Sequence, residues 1–176
     1  PNTQLRTLQN DIAALDTSIA QAQKDKVTAY RTYLNADLST EPSAEQTVDK
    51  TRPILSGLYT GTTEGEYRIR VYKSNADSGY SFQTSGLESY IGVVYPGTAV
   101  PLGSRGLTIS FPSDLRHDDG WIVAVPNVRT GAIVENKDTY NKAIANLDKS
   151  IEGDRVDQAN KKQELENLSR TDTSTY

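Results

Sequence analysis

Three stretches of the chain differ in the period of their hydrophobic positions. From about Thr3 to Leu38, apolar residues recur at alternating steps of three and four, at Leu5, Leu8, Ile12, Leu15, Ile19 and Ala22, with no Gly or Pro among them. That spacing draws one narrow stripe along a helix, the seam of a coiled coil. Val27, Tyr30, Leu34 and Leu38 keep the step on an offset frame, which predicts a stutter near Gln23 to Lys26 and local unwinding there. At ~1.5 Å per residue such a helix is about 50 Å long, beyond the ordinary globular range.

A second helix is predicted from about Asn136 to Leu168. Tyr140, Ile144, Leu147, Ile151, Leu165 and Leu168 lie on one heptad frame, which also passes through Asp154, Gln158 and Lys161. Polar residues at consecutive seam positions predict either a weakened, wet middle or a shift to a face carrying Val156 and Ala159. Gly153 adds a local penalty of roughly 1 kcal/mol.

Between the helices the period drops to two. Tyr67, Ile69 and Val71 alternate with Arg68, Arg70 and Tyr72, and Tyr80 to Phe82 alternates likewise. Leu87 to Tyr95 is an apolar, β-branched run. Leu107, Ile109 and Phe111 alternate with Thr108 and Ser110, and Trp121, Val123 and Val125 with Ile122 and Ala124. Turn residues stand at the strand ends: Gly61 to Gly65, Asn75 to Gly79, Pro96-Gly97, Gly103 to Gly106 and Asp118 to Gly120. Some five to seven short strands at this spacing predict a small antiparallel sandwich or partly open barrel.

The expected fold is α+β. An N-terminal coiled-coil helix (1–40), a linker (41–55), a β head (56–127) and a C-terminal coiled-coil helix with a tail (128–176) follow one another. Laying the helices antiparallel buries both seams, which predicts a helical hairpin with the β unit inserted between its arms, a stalk carrying a head.

Composition narrows the chemistry. Of 176 residues, 24% are charged and the formal net charge is −4, so the average field repels nucleic acid and anionic membranes. Hydrophobic residues make up only 35%, as expected of a thin rod or of partial disorder. With no cysteine, disulfides, zinc–thiolate sites and thiol nucleophiles are excluded. No apolar run is long enough to span a bilayer. The absence of methionine suggests a processed piece of a longer chain, and no signal peptide is expected.

The single histidine, His117, stands among Asp114, Asp118 and Asp119. A base or a cation site there competes with the plainer reading of a solvated turn, where Asp and Gly serve the backbone. Asn75, Asp77 and Gly79 match part of a calcium loop but lack its distal glutamate. One histidine assembles no Ser/His/Asp set, and Gly103 to Gly106 is followed by a strand rather than a phosphate-binding helix. No cofactor, metal or catalytic residue is therefore assigned, and an enzyme is not expected.

Aromatic residues point to contacts instead. Tyr67, Phe82, Phe111 and Trp121 lie on the apolar faces and read as core. Tyr72, Tyr80, Tyr90 and Tyr95 include candidates for an exposed patch that binds carbohydrate or protein, or for simple cover of a thin sheet. Arg68 and Arg70, opposite Ile69, are solvated or mark an interface. The seam residues pair within the chain, against neighbouring copies, or both.

The β stretch reads Ser56-Gly-Leu-Tyr-Thr-Gly61, Glu66-Tyr-Arg-Ile-Arg-Val71, Gly106-Leu-Thr-Ile-Ser-Phe111 and Asp119-Gly-Trp-Ile-Val-Ala-Val125. This order resembles the β modules of flagellar hook-associated and filament-cap proteins, with their Gly-x-Tyr-x-Gly, alternating strand, Gly-Leu-x-Ile-x-Phe, and acidic turn before Trp-x-Val-x-Val. The helix from Leu147 onward is also similar to their C-terminal coiled-coil helix, and phage tail proteins use similar modules. The likeness covers about residues 56 to 126, under half of the chain; the cap proteins usually carry more sequence between helix and β module. It implies a non-catalytic assembly component of an extracellular appendage (a flagellum or other filament) or a virion such as a phage tail. Its implied partners are copies of itself and other structural subunits; a glycan- or receptor-binding adhesion module is the alternative. Neither nucleic-acid binding nor membrane insertion is expected.

Overall fold

The computed structural model describes residues 2–46, 50–74 and 79–174. Two long helices, packed antiparallel, flank in sequence an inserted antiparallel β region of two sheets. Two compact units result: residues 1–30 with 138–176, and residues 31–137. No helix among the described residues is long and apolar enough to cross a membrane. The Asn75–Ser78 part of the predicted calcium-loop match lies outside the described residues.

In the helical unit, helix α1 (Asn2–Asn35) runs against helix α2 (Ile133–Ser174). Cross-links at several levels fix their antiparallel register: Tyr30 with Tyr140 (ring centroids 5.6 Å apart), Lys26 with Asp148, Ser18 with Asp154, and Gln158 with Ile12 and Asp16. Leu8, Ala22 and Ile151 are buried; Leu5, Ile12, Leu15, Ile19, Tyr140, Ile144, Leu147, Leu165 and Leu168 are half-buried on the predicted frames.

The predicted unwinding near Gln23 to Lys26 is absent, since α1 is continuous from Asn2 to Asn35. Val27 is 59% exposed while Lys26 and Ala29 are half-buried, so the 5-8-12-15-19-22 frame continues through 26 and 29; Tyr30, half-buried against Tyr140, and the buried Leu34 are covered as the offset frame has them. Lysine fits a seam because its aliphatic stem covers apolar surface while the ammonium reaches out, here to Asp148 Oδ1 at 2.5 Å. Helix α1 also ends before Leu38, at Asn35, and Asp37 takes φ 54°, the left-handed conformation that commonly stops a helix. In α2 the shifted face is not used: Val156 is 52% exposed and Ala159 is exposed, while Asp154, Gln158 and Lys161 stay in the seam. The middle of the seam is polar.

The β unit has eight strands among its described residues. They are β1 (Glu41–Pro42), β2 (Ile54–Gly57), β3 (Gly65–Lys73), β4 (Tyr80–Gly86), β5 (Tyr90–Val93), β6 (Val100–Pro101), β7 (Leu107–Ser110) and β8 (Gly120–Val125). They form a five-stranded sheet in the order β1-β8-β3-β4-β5 and a three-stranded sheet in the order β2-β7-β6, antiparallel throughout. Three strands were not named from the sequence, and one of them, β2, begins inside the predicted linker. Strand β1 falls in the predicted linker, and both β1 and β6 are two residues long and contain proline, so no alternation reveals them.

Alternation holds where the strands are long. Tyr67, Ile69 and Val71 of β3 and Phe82 and Thr84 of β4 point into the core, joined by Leu107, Ile109, Phe111 and Leu102. A chain of rings crosses it: Tyr90 to Phe82 at 6.0 Å, Phe82 to Phe111 at 5.1 Å, and Phe111 to Trp121 at 6.3 Å. Each tilted contact contributes about 0.5–1.5 kcal/mol beyond burial. Strand β8 departs from the pattern, since all six of its residues are buried. It is an interior strand, and the segment after β1 lies over its start: Ser43 N–H donates to Gly120 O, and Gly120 N–H donates to Gln46 Oε1.

Candidate interaction surfaces

The outer face of the five-stranded sheet gathers the residues that alternate away from the core. Register places Arg68 opposite Ser85 and Ile122, Arg70 opposite Gln83 and Gly120, and Tyr72 opposite Ser81. Arg70 bonds Asp118 at 2.6 Å and lies 5.9 Å over the Tyr72 ring, while Arg68 reaches Glu66 at 3.4 Å. Between Arg68, Arg70 and Asp118 and the segment Ser43 to Glu45 runs a groove of about 650 Å³ with Ile122 in its wall. Arg68, Arg70 and Tyr72 thus come together on one face.

The other predicted tyrosines do not join them. Tyr80 and Tyr90 share the parity of Phe82 and so belong to the inner side, half-buried, with Tyr90 against the Phe82 ring. Tyr95 follows β5 and is 58% exposed. The four tyrosines form no single patch.

Strand β5 supplies contacts that the tyrosine reading missed. Val94 N–H donates to Tyr80 O at 3.0 Å, and in the same register Gly92 opposes Phe82 and Tyr90 opposes Thr84. Antiparallel ladders alternate, so Tyr90 and Gly92 direct their backbone groups to β4, and Ile91 and Val93 direct theirs outward. No strand pairs with that side among the described residues. The side chains of Ile91 and Val93 are 69% and 51% exposed on the outer face. Gly92 is small for a packing reason, since a Cβ there would stand 2.5 Å from the Phe82 ring. The signal was in the apolar run from Leu87 to Tyr95, but nothing in it said that the strand stands at an edge.

Other clusters are structural. His117 accepts the Lys73 N–H on Nδ1 at 3.2 Å and lies 3.5 Å from Asp118, in an exposed turn. No group of metal-ligating side chains occurs among the described residues. Asp119 forms a buried ion pair with Lys50 at 2.6 Å and accepts the Arg116 N–H at 2.7 Å.

Beneath the 103–106 turn, the buried Tyr67 hydroxyl donates to Glu88, which also accepts the N–H and Oγ–H of Ser104. Burial, then the Glu88 bond and charge, push the Tyr67 phenol far above its ordinary range. Burial acts to raise Glu88, but its bonds from Tyr67 and Ser104 and the Arg105 charge hold it below its ordinary value. Gly103 (φ 85°) makes room for this carboxylate, which a Cβ would meet at 2.2 Å. This arrangement fastens a turn.

No protein-family model matches the chain, and no curated protein matches it either.

Proposed function

We propose that the protein is a non-enzymatic structural component of an extracellular appendage or virion. Its helices pack and oligomerise with those of other copies or subunits, and its β unit offers lateral contacts. The observation that carries this reading is the half-covered seam. Of the twelve apolar residues on the two predicted stripes only Leu8 (8% exposed), Ala22 (7%) and Ile151 (5%) are buried, while the others keep part of their apolar surface in water. Two helices cover such a stripe from one side only, and further helices gain by covering the rest. Sedimentation velocity on the full chain across a wide concentration range tests it. A concentration-dependent closed oligomer or fibre is expected; a strict monomer at every concentration overturns the reading.

A second reading, a glycan- or receptor-binding adhesion module, is favoured by the outer groove with Arg68, Arg70 and Gln83 along it. Planar polar side chains suit sugar hydroxyls, and Arg70 also lies over the Tyr72 ring outside the groove's lining. A monomer that binds sugars on an array, and loses them on Arg70→Ala, would replace assembly with this second reading.

A further inference from the structure

We infer that β5 is a self-pairing edge through which two copies of this chain extend their five-stranded sheets into one another. The proposal deepens the assembly reading above and rests on it, supplying the lateral contact of the β unit.

The sheet edges are treated unequally. Strand β1 is two residues long, contains Pro42, and its Glu41 is paired with Arg52 at 3.1 Å. Strand β6 is as short and contains Pro101. Beside β2 runs the 35–40 segment, bonded at one end by Asn35 to Tyr59 and at the other by Thr40 to Pro53. Short length, proline and cover are the usual guards against edge pairing. Strand β5 is four residues long, contains neither proline nor lysine, and has β6 near it but unpaired with it.

Its geometry suits a second copy of itself. Place two β5 strands antiparallel about a two-fold axis at Gly92. Ile91 then faces Val93 of the other copy twice over, and these are the residues whose N–H and C=O groups point outward. The backbone bonds close in reciprocal pairs, and two Ile–Val cross-strand contacts form on the outer face. The residues bordering them there, Ser81 and Gln83, are uncharged. Copies of net charge −4 therefore meet no like charge at the join. Ile91, Val93 and Tyr95 together offer on the order of 300 Å² per copy, against ~800 Å² per partner in a standing dimer. The contact is thus a weak, reversible one that gains strength by repetition in an assembly.

The test compares the full chain with Val93→Lys and Ile91→Pro by sedimentation, alongside amide hydrogen exchange. Each variant's melting is checked first; Val93→Lys leaves the β4 ladder intact and keeps the test open should the proline variant unfold. Expected are slowed exchange at Ile91 and Val93 as concentration rises and an association constant weakened about tenfold or more in Val93→Lys. Association that proceeds equally in both variants, with these amides still exchanging fast, overturns the edge and leaves the assembly reading standing. A wild-type chain that never associates overturns both.

Discussion

The side chain of Asn35 treats the backbone of Tyr59 as a neighbouring strand would. Its Oδ1 accepts the Tyr59 N–H at 2.8 Å and its Nδ2 donates to the Tyr59 carbonyl at 3.0 Å. Tyr59 is itself fully buried, its hydroxyl donating to Thr63 O at 2.7 Å. One amide therefore satisfies both main-chain groups of a core residue just beyond β2, where no strand among the described residues pairs with it.

Asn35→Ala is expected to leave those two backbone groups without partners and to cost about 1–3 kcal/mol. Asn35→Asp keeps the acceptor for the N–H but sets a carboxylate against the carbonyl, and is expected to cost no less. Urea melts of the two variants, with unchanged m-values, check both.

Gln158 is 7% exposed in the middle of the helical seam, and its amide donates to the Ile12 carbonyl at 3.1 Å and to Asp16 at 2.6 Å. A polar residue at such a position fixes register at a cost in stability. Gln158→Leu is expected to raise stability by about 1 kcal/mol and to loosen the alignment, since Asp16 is exposed and recovers water. The chain has no cysteine of its own, so disulfide trapping is clean. Ser18→Cys with Asp154→Cys, at a native contact of 2.7 Å, should cross-link efficiently in the wild-type background. In Q158L, trapping should spread to Ser18→Cys with Lys161→Cys, one heptad away. Unchanged stability with a single cross-linked product would remove Gln158 as the register device.

The helices were legible because a heptad survives polar substitutions: the frame through Tyr140, Ile144 and Leu147 remains correct at Asp154 and Gln158. Hydrophobicity misled where an apolar residue adjoined a long charged one. Val27 drew the frame off course, yet Lys26 fills the seam because its stem is apolar and its charge has Asp148 within reach. In the β unit, parity gave the inner face of β3 correctly. Parity with Phe82 also places Tyr80 inside, whereas the face of Tyr90 on β5 follows from its pairing register with Thr84. Strand order is a long-range property, so neither the open edge at Ile91 nor the double burial of β8 could be read from local alternation.

The ion pair of Lys50 and Asp119 lies with side chains only 7% and 10% exposed. The Lys50 ammonium also donates to Asp114 O at 2.9 Å, tying the segment before β2 to the turn before β8. Lys50→Met is expected to destabilise by about 3–5 kcal/mol, because Asp119 is left buried without its counter-charge. The loss should change little with added salt, as burial limits screening. Thermal melts at low and high ionic strength decide the matter, and a loss that salt abolishes would mark the pair as solvated.

Acid and alkali should each loosen the Tyr67–Glu88 fastening, for opposite reasons. Glu88 is held below its ordinary value of 4.5, so below that value the unfolded chain binds more protons than the folded one. Its contribution is complete above the unfolded value and is lost as pH falls through the lowered one. Tyr67 is raised above its ordinary 10.0, so its contribution is complete below that value and is lost as pH rises beyond it. Melting temperature followed across the pH range should therefore decline on both limbs in the wild type. Glu88→Gln should flatten the acid limb and Tyr67→Phe the alkaline one, each at some loss of stability near neutrality. A variant whose limb stays as steep as the wild type's would show that other groups govern that side of the profile.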